Sequence, residues 1–283
     1  MKKSQIYVLL SFAVVTGVVW WAVFTYAVSE KELTVAFLNV GQGDAIYIET
    51  PNGTQVLLDG GPNKSVLREL GDMMPFWDRT LDIVILSHPD LDHVGGLTSV
   101  LKRFDVDRIM SPGVGASIGA YESIVDEVLE KNIESIIARR GRVWLDKEHG
   151  VYLDILFPDR DVTGFDKNLA SIVAKLVYGE TSFLLTGDSP KSIEAYLVDV
   201  DAEALDVDVL KLGHHGSKTS TSEEFLGYTS PEYVIISAGK DNRYGHPHKE
   251  VTDLLQQFDV MYFNTAEEGN ILFKSNGVEV IKK

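Results

Sequence analysis

The sequence of 283 residues contains no cysteine. This absence excludes a disulfide framework, a thiolate nucleophile and a cysteine-ligated zinc site. Any metal that the protein binds must therefore be held by His, Asp and Glu, a donor set that suits Zn²⁺, Mn²⁺ or Fe.

Positive charge is also scarce, since 26 Lys and Arg face 42 Asp and Glu, for a net charge of −16. Contact with nucleic-acid phosphates needs local Lys and Arg, so this balance argues against a DNA substrate without excluding it. A basic rim or bound cations can reverse the field at one cleft. The densest basic cluster, Arg139, Arg140 and Arg142, is either a solvated turn between strands or a contact to a phosphate backbone.

Residues 6–28 carry no charge and follow Lys2 and Lys3. As a helix this run would extend roughly 34 Å, enough to cross a bilayer. We therefore predict a membrane anchor over residues 1–29, followed by one folded domain over residues 30–283. The flanking lysines favour an inside N-terminus and a domain outside the cytoplasm. The alternative is a cleaved signal peptide and a secreted domain.

The most informative stretch follows the apolar run 81–86, which has the length and branching of a buried strand. His88 and Asp90 alternate along extended chain and can face the same way, whereas the adjacent Asp92 and His93 must diverge. Two neighbouring metal positions would use all four side chains. The glycine pair at 95–96, which permits close backbone approach, then precedes a helix. The stretch predicts the core of a metal site.

Three other strand ends in the sequence also carry polar side chains. Asp59 ends a β-hairpin, where it either supports a ligand or is a turn residue. Asp188 follows the predicted strand 181–185 in a Gly-Asp turn that suits a carboxylate bridging two cations. His214 and His215 leave the next strand. We expect at least one of them to be a ligand and the other a hydrogen-bond donor or proton carrier.

The last long polar loop adds further candidates. Lys240 and Arg243 can bind an anionic group, and His246 can protonate a leaving group. His248 is either part of this chemistry or only the residue that precedes the next helix.

Together these segments resemble the metal-binding signature of the metallo-β-lactamase fold, with Asp90 where most members carry a second histidine. In that variant form they look like the C-terminal hydrolase domain of the ComEC competence proteins, from about Leu33 to the end. Full ComEC proteins carry a channel of many spans, so DNA uptake does not carry over. The segments are Asn39-Val40-Gly41-Gln42-Gly43-Asp44, Leu58-Asp59-Gly60-Gly61, His88-Pro89-Asp90-Leu91-Asp92-His93-Val94-Gly95-Gly96, Leu185-Thr186-Gly187-Asp188, His214-His215-Gly216-Ser217 and Tyr244-Gly245-His246-Pro247-His248.

The resemblance implies a four-layer αββα sandwich with one or two divalent ions at one edge. The ligands it implies are His88, Asp90 and Asp188 for a first ion, and Asp92, His93, Asp188 and His215 for a second. The common fold supplies another histidine to the first ion, where this sequence offers Asp166 and Asn168. The oxygen donors make that position harder, so Mn²⁺ is an expected metal beside Zn²⁺.

The function that the resemblance implies is a metal-dependent phosphodiesterase, a nuclease acting on DNA. Asp92 would orient the attacking water while it binds metal, and His246 or His214 would assist the leaving oxygen. The side chains expected to support the ligands or to contact substrate are Asp59, Asn168, Ser217, Lys240, Arg243 and His248.

Two alternatives remain open at this point. One is a hydrolase of the same chemistry that acts on an envelope phosphoester or a small molecule, which the acidic composition favours. The other is a membrane-tethered binding module without catalysis. The Asp90 variant argues against a β-lactam substrate.

Overall fold

The computed structural model describes residues 3–28 and 32–283. The chain divides into two compact units, Met1–Lys31 and Glu32–Lys283. In the first, helix α1 covers Lys3–Val28. The part of the chain that the structure describes contains no helix long and apolar enough to cross a membrane. The structure therefore does not support the membrane span predicted within residues 1–29.

The second unit contains two sheets. The 8-stranded sheet has the order β15-β14-β1-β2-β3-β4-β5-β6, and the 7-stranded sheet has the order β13-β12-β11-β10-β9-β8-β7. The strands are β1 (Leu33–Phe37), β2 (Ile46–Glu49), β3 (Gln55–Leu58), β4 (Thr80–Ile85), β5 (Asp105–Ser111), β6 (Glu134–Ile137), β7 (Gly141–Asp146), β8 (Val151–Phe157), β9 (Val173–Tyr178), β10 (Thr181–Leu185), β11 (Val209–Lys211), β12 (Tyr233–Ile236), β13 (Met261–Asn264), β14 (Ile271–Ser275) and β15 (Val280–Lys282).

Helices cover the outer face of each sheet. On the 8-stranded sheet, α2 to α5 contribute side chains such as Leu70, Leu97 and Ile124 to one core. On the 7-stranded sheet, α6 to α8 contribute Leu197 and Phe225 to another. The helices are α2 (Val66–Met73), α3 (Leu91–Val94), α4 (Leu97–Arg103), α5 (Gly119–Glu130), α6 (Lys191–Asp201), α7 (Glu223–Thr229), α8 (Lys249–Gln257) and α9 (Thr265–Glu268).

A third core lies between the sheets and explains why the strands are apolar on both faces. In β10, Phe183 and Leu185 point into this central core, whereas Leu184 packs against the helices. In β3, Val56 points inward and Leu57 outward. Successive side chains of a strand face opposite sides, so a strand buried on both sides has no polar face. The predicted αββα sandwich is confirmed.

The parallel strands of both sheets end at one edge. β3, β4 and β5 are mutually parallel, as are β10, β11 and β12. The loops after these strands are therefore brought together, which is how open α/β sheets place their sites.

The basic cluster at residues 139–142 has partners within the protein. Gly141–Asp146 is a strand that the sequence reasoning missed. Arg140 pairs with Asp201 at 2.8 Å, and Arg142 pairs with Asp154 at 2.8 Å. These two guanidinium groups of the cluster therefore have carboxylate partners within the protein.

Candidate metal centre

The loop after β4 places the first ligands. His88 and His93 are both fully buried, on either side of the turn that starts the short helix α3. The glycine pair after it is required by close packing. A Cβ on Gly95 would lie 2.1 Å from the carbonyl oxygen of Pro62, and one on Gly96 would lie 2.1 Å from that of Gly60. The predicted reason for these glycines, close backbone approach, is what the structure shows.

Asp188, in the loop after β10, stands between two groups of histidines. Its Oδ1 lies 3.2 Å from His93 Nε2 and 3.6 Å from His215 Nε2. Its Oδ2 lies 3.7 Å from His88 Nε2 and 3.8 Å from His214 Nε2. The two oxygens of one carboxylate thus face two neighbouring sets of nitrogen donors, as a bridging ligand would.

The two aspartates of the β4 loop belong to different sets. Asp90 Oδ2 lies 3.7 Å from His88 Nε2, and we name these two residues with Asp188 the first position. Asp92 Oδ2 lies 3.4 Å from His215 Nε2, which is itself 3.3 Å from His93 Nε2. Asp92, His93, His215 and Asp188 form the second position. The structure brings together all six predicted ligands.

Asp59 supports His93 rather than only closing a turn. Its Oδ2 accepts hydrogen bonds from Ser87 Oγ at 2.6 Å and lies 2.7 Å from His93 Nδ1, while Oδ1 accepts from the Ser87 N–H at 2.8 Å. Asp59 has a positive φ of 61°, a conformation uncommon outside glycine. A carboxylate behind a histidine fixes the ring and raises its basicity as a ligand.

Asp44 and Lys211 were not predicted as site residues. Asp44 Oδ1 lies 3.2 Å from His215 Nδ1, and its Oδ2 accepts a hydrogen bond from Lys211 Nζ at 2.7 Å. Asp44, His93, Asp188 and His215 offer donor atoms that all lie within 4.8 Å of one another. One signal was available: Lys211 is the charged residue of an apolar buried strand, and a fully buried lysine needs an acidic partner.

The two consecutive histidines adopt left-handed backbone conformations, with φ of 49° at His214 and 56° at His215. Such residues cost of order 1–3 kcal/mol each and persist where the surroundings determine them. His214 Nδ1 lies 3.1 Å from Thr219 Oγ1, which is in turn 3.0 Å from Ser217 Oγ. Ser217 therefore acts on His214 through Thr219, and it supports the loop that orients the His214 ring.

The last loop forms one wall of a cavity of about 300 Å³ that opens on the centre. The ring of His246 lies 5.5 Å from that of His214 and 5.6 Å from that of Tyr244, centroid to centroid. Asn242 holds the loop through hydrogen bonds from Nδ2 to the carbonyl oxygens of Gly239 at 2.9 Å and His246 at 2.5 Å. Burial and the neighbouring His215 and His214 lower the pKa of His246 to about 4, so its imidazole is neutral at neutral pH.

Four predicted support or substrate residues lie further out. His248 precedes α8, and its Nδ1 accepts a hydrogen bond from the Lys218 N–H at 3.1 Å. Asn168 begins a short 3₁₀ turn and donates its N–H to Asp166 Oδ1 at 3.1 Å. Lys240 and Arg243 are exposed on the last loop, and Arg243 contacts the hydroxyl of Tyr244 at 2.6 Å.

The charges of the centre are strongly coupled. Burial would raise the pKa of Asp188, but His215, His93 and His88 outweigh it and hold that pKa well below its usual range. Burial lowers the pKa of His93, yet Asp188 and Asp59 raise it well above its usual value. Burial also lowers the pKa of His215, but Asp188 and Asp44 outweigh this effect and raise that pKa to about 9. For His88, burial and the neighbouring His93 lower the pKa to about 4.

The donor set fits divalent cations. Among the described residues, His88 Nε2 and Asp188 Oδ1 are buried and have no hydrogen-bond partner. Buried polar atoms without a partner are costly unless something else satisfies them, and both atoms face the centre. Imidazole nitrogens and carboxylate oxygens without any sulfur suit Zn²⁺ or Mn²⁺.

We expect cation binding to displace protons, because His93 and His215 hold raised pKa values only while no metal is bound. The apparent affinity should rise with pH up to about 9, the pKa of His215 in the metal-free protein, by about tenfold per unit for each proton displaced. The stability of the metal-free protein should change with pH in the opposite direction. The stability that protonated His215 contributes is complete below pH 6.5, the ordinary histidine pKa, and is lost as pH rises through about 9.

Calorimetric titration in two buffers of different ionisation enthalpy measures this proton release. His149→Gln is the control, because that imidazole pairs with Asp146 at 2.7 Å outside the centre. It should release as many protons as the unchanged protein. Metal binding with no proton release, and a flat stability of the metal-free protein from pH 6.5 to 9.5, would contradict the expectation.

An αββα sandwich with His and Asp donors at the carboxyl edge of its strands defines a metal-binding hydrolase class. The sequence model of the Metallo-beta-lactamase superfamily matches residues 38–240, and the chain belongs to this superfamily.

Within it, the chain is related to competence proteins. It is 34% identical to ComE operon protein 3 of Bacillus subtilis over 94% of this chain and 36% of that protein. It is 34% identical to Recombination protein 2 of Haemophilus influenzae over 86% of this chain and 29% of that one. It is 31% identical to Competence protein ComA of Neisseria gonorrhoeae over 87% of this chain and 33% of that protein. The chain thus spans about a third of the length of these relatives, and the predicted resemblance is confirmed.

Proposed function

We propose that this protein is a divalent-metal-dependent phosphodiesterase that cleaves nucleic acid. The observation that carries the proposal is Asp188, whose two oxygens face His93 and His215 on one side and His88 on the other. Two adjoining cation positions beside an open cavity suit a substrate whose charge grows during the reaction. The centre lacks the cysteine that a covalent thiolate route would need.

In the reaction, a water oxygen attacks phosphorus, the bond to the leaving oxygen breaks, and the water's proton is released as the leaving oxygen gains one. The side chains of the two positions would hold divalent cations, and these would supply positive charge to the phosphate and acidify water. Asp92, at 29% side-chain exposure the most open carboxylate of the second position, orients the water. His246 and His214 line the same cavity, where a ring N–H of either can donate a hydrogen bond to the leaving oxygen, which takes up its proton from solvent.

Two observations support nucleic acid as the substrate. The relatives include a recombination protein and a competence protein. In addition, Tyr244 is 48% exposed at the cavity, with the guanidinium carbon of Arg243 at 4.8 Å from its ring centroid. An exposed aromatic ring stacks on any base, and a neighbouring arginine favours the phosphate beside it. This local cation is the kind of rim that a protein of net charge −16 needs.

The test is to incubate the metal-free chain with Mn²⁺ or Zn²⁺ and, in parallel, single-stranded DNA, duplex DNA, a chromogenic phosphodiester and a β-lactam. We expect metal-dependent cleavage of DNA and of the chromogenic diester, and no lactam hydrolysis. His93→Gln should abolish the cleavage. Hydrolysis of the small diester alone would favour the small-molecule or envelope substrate. Tight metal binding without any hydrolysis would leave a binding module.

Tyr244→Leu should separate nucleic-acid binding from chemistry. Loss of one stacked base costs about 1–3 kcal/mol, so KM for a single-stranded oligonucleotide should rise roughly fivefold or more. Hydrolysis of the chromogenic diester, which has no base to stack, should be unchanged. Steady-state kinetics on both substrates measure this. Tyr228→Leu is the control, because Tyr228 is 42% exposed on α7. Equal losses on both substrates would show that Tyr244 acts through His246 instead.

We also propose that the domain works at a membrane, outside the cytoplasm. Support comes from the sequence alone, from the uncharged run 6–28 behind Lys2 and Lys3. Fractionation of cells that make the chain, followed by protease treatment of intact spheroplasts, tests both parts. A chain found only in the soluble cytoplasmic fraction would end this part of the proposal.

A further inference from the structure

Lys167 brings a positive charge to one side of the centre. It precedes the 3₁₀ turn Asn168–Ala170, and its ammonium group forms an ion pair with Asp90 Oδ1. The other oxygen of Asp90 is the one that lies 3.7 Å from His88 Nε2. The same carboxylate is therefore shared between the first position and an ammonium group. None of the sequence predictions included Lys167.

The histidines of the two positions are also supported differently. At the second position, His93 has Asp59 behind it at 2.7 Å, and His215 has Asp44 at 3.2 Å. At the first position, His88 Nδ1 has the neutral hydroxyl of Ser87 at 3.1 Å. A carboxylate behind an imidazole increases its basicity more than a hydroxyl does, so the second position holds the stronger nitrogen donors.

The carboxylates add to this difference. Both positions share Asp188, and each has one aspartate of its own. The charge of Asp90 is offset by Lys167, whereas the ion-pair partner of Asp92 in the described part of the chain is His215, itself a member of the second position. Asp90 therefore shares its charge with an ammonium group from outside both positions, whereas the ion-pair partner of Asp92 belongs to the second position itself.

We propose that Lys167 makes the two cation positions unequal. A divalent ion binds tightly at the second position, and a further ion binds weakly and exchangeably at the first, because Lys167 offsets the charge of Asp90. The proposal rests on the metal centre of the proposed function but not on its substrate. It assigns to Lys167 the role of a modulating residue that acts through Asp90.

The experiment is a calorimetric titration of the metal-free full chain with Mn²⁺ as the only divalent ion. We expect a tight step and a weak step, separated by at least about tenfold in affinity. Lys167→Met keeps the length of the side chain and removes its charge. It should strengthen the weak step by about tenfold, the size expected for a unit charge beside a partly exposed carboxylate, and leave the tight step unchanged. Lys167 is 39% exposed at its side chain, so the variant should fold.

Two further variants fix the assignment. Asp90→Asn should abolish the weak step alone, and the double variant with Lys167→Met should show no recovery. Lys102→Met, which removes an ammonium group paired with Glu127 at 3.4 Å, should change neither step. A single step in the unchanged chain and a second step in Lys167→Met would also support the proposal.

Three results would overturn it: two steps of equal affinity in the unchanged chain, a weak step that Lys167→Met leaves as it was, or one that this variant weakens further. Failure of the proposed function looks different. A chain with the expected two steps and no cleavage of any phosphodiester would end that function and leave the inequality standing. Phosphodiester cleavage by a chain that binds two Mn²⁺ ions with equal affinity would support the proposed function and overturn the inequality.

Discussion

Replacing Asp188 by asparagine should lower phosphodiester hydrolysis by about a thousandfold, equivalent to about 4 kcal/mol of transition-state stabilisation. Asparagine keeps the shape of the side chain but replaces one carboxylate oxygen with an amide nitrogen, which is no ligand. In the native protein Oδ1 faces the second position and Oδ2 the first, at 3.2 Å from His93 Nε2 and 3.7 Å from His88 Nε2. One substitution therefore weakens both positions.

Metal content measured by equilibrium dialysis against Mn²⁺ gives a readout that does not depend on activity, and it should fall for both ions. Asp199→Asn is the matched control, because Asp199 is exposed on α6. It should retain full metal content and rate. If the Asp188→Asn variant kept its metal but lost activity, Asp188 would act on the substrate and would not bridge two cations. If the variant kept both metal and activity, the metal centre would not be the site of hydrolysis.

Replacing Lys211 by methionine should destabilise the domain by about 3–5 kcal/mol, the cost of removing one partner from a buried ion pair. Lys211 and Asp44 have side-chain exposures of 0% and 1%, with Nζ and Oδ2 2.7 Å apart. Lys211 Nζ also donates to the carbonyl oxygen of Leu212 at 2.9 Å. Without the ammonium group, Asp44 is left as a buried carboxylate whose remaining neighbour is His215.

Urea unfolding followed by circular dichroism measures the loss. The control is Lys249→Met, since Lys249 pairs with Asp253 at 81% and 54% side-chain exposure, and exposed pairs contribute little. The double variant Asp44→Asn with Lys211→Met should recover much of the loss, because it no longer buries an unpaired charge. Equal stability of Lys211→Met and Lys249→Met would show that Asp44 loses its proton only when Lys211 is present.

The local features of this protein could be predicted because their causes are local. The apolar run 81–86 predicts a strand, and the structure has one at Thr80–Ile85. The β-hairpin predicted to end at Asp59 is found as the antiparallel pair of β2 and β3. Gly95 and Gly96 predict a close backbone approach, which the Cβ positions require. The strand Gly141–Asp146 was missed because the arginines at residues 139–142 were interpreted as part of a turn. Two of their partners, Asp154 and Asp201, lie elsewhere in the chain.

The six candidate ligands could be proposed from the sequence for a similar reason. His88, Asp90, Asp92 and His93 share one loop, and Asp188 and His215 each follow a buried strand. Strands that run parallel deliver their following loops to one edge, so a polar residue at each strand end is a sound candidate. The supporting residues were harder to find. Lys167 and Asp90 are 77 residues apart, and Asp44 and Lys211 are 167 apart.

By itself, the sequence determined which side chains are available and where they leave the sheets: no thiolate, a set of His and Asp at strand ends, and strands apolar on both faces. Only the tertiary structure decided which charged side chains contact each other. Asp188 lies between two sets of histidines, Asp44 pairs with Lys211, and Asp90 pairs with Lys167, because the packing of two sheets sets the distances between residues far apart in the chain. Hydrophobic periodicity records only which way each residue faces along its own strand, and it contains no information on the offset between two sheets.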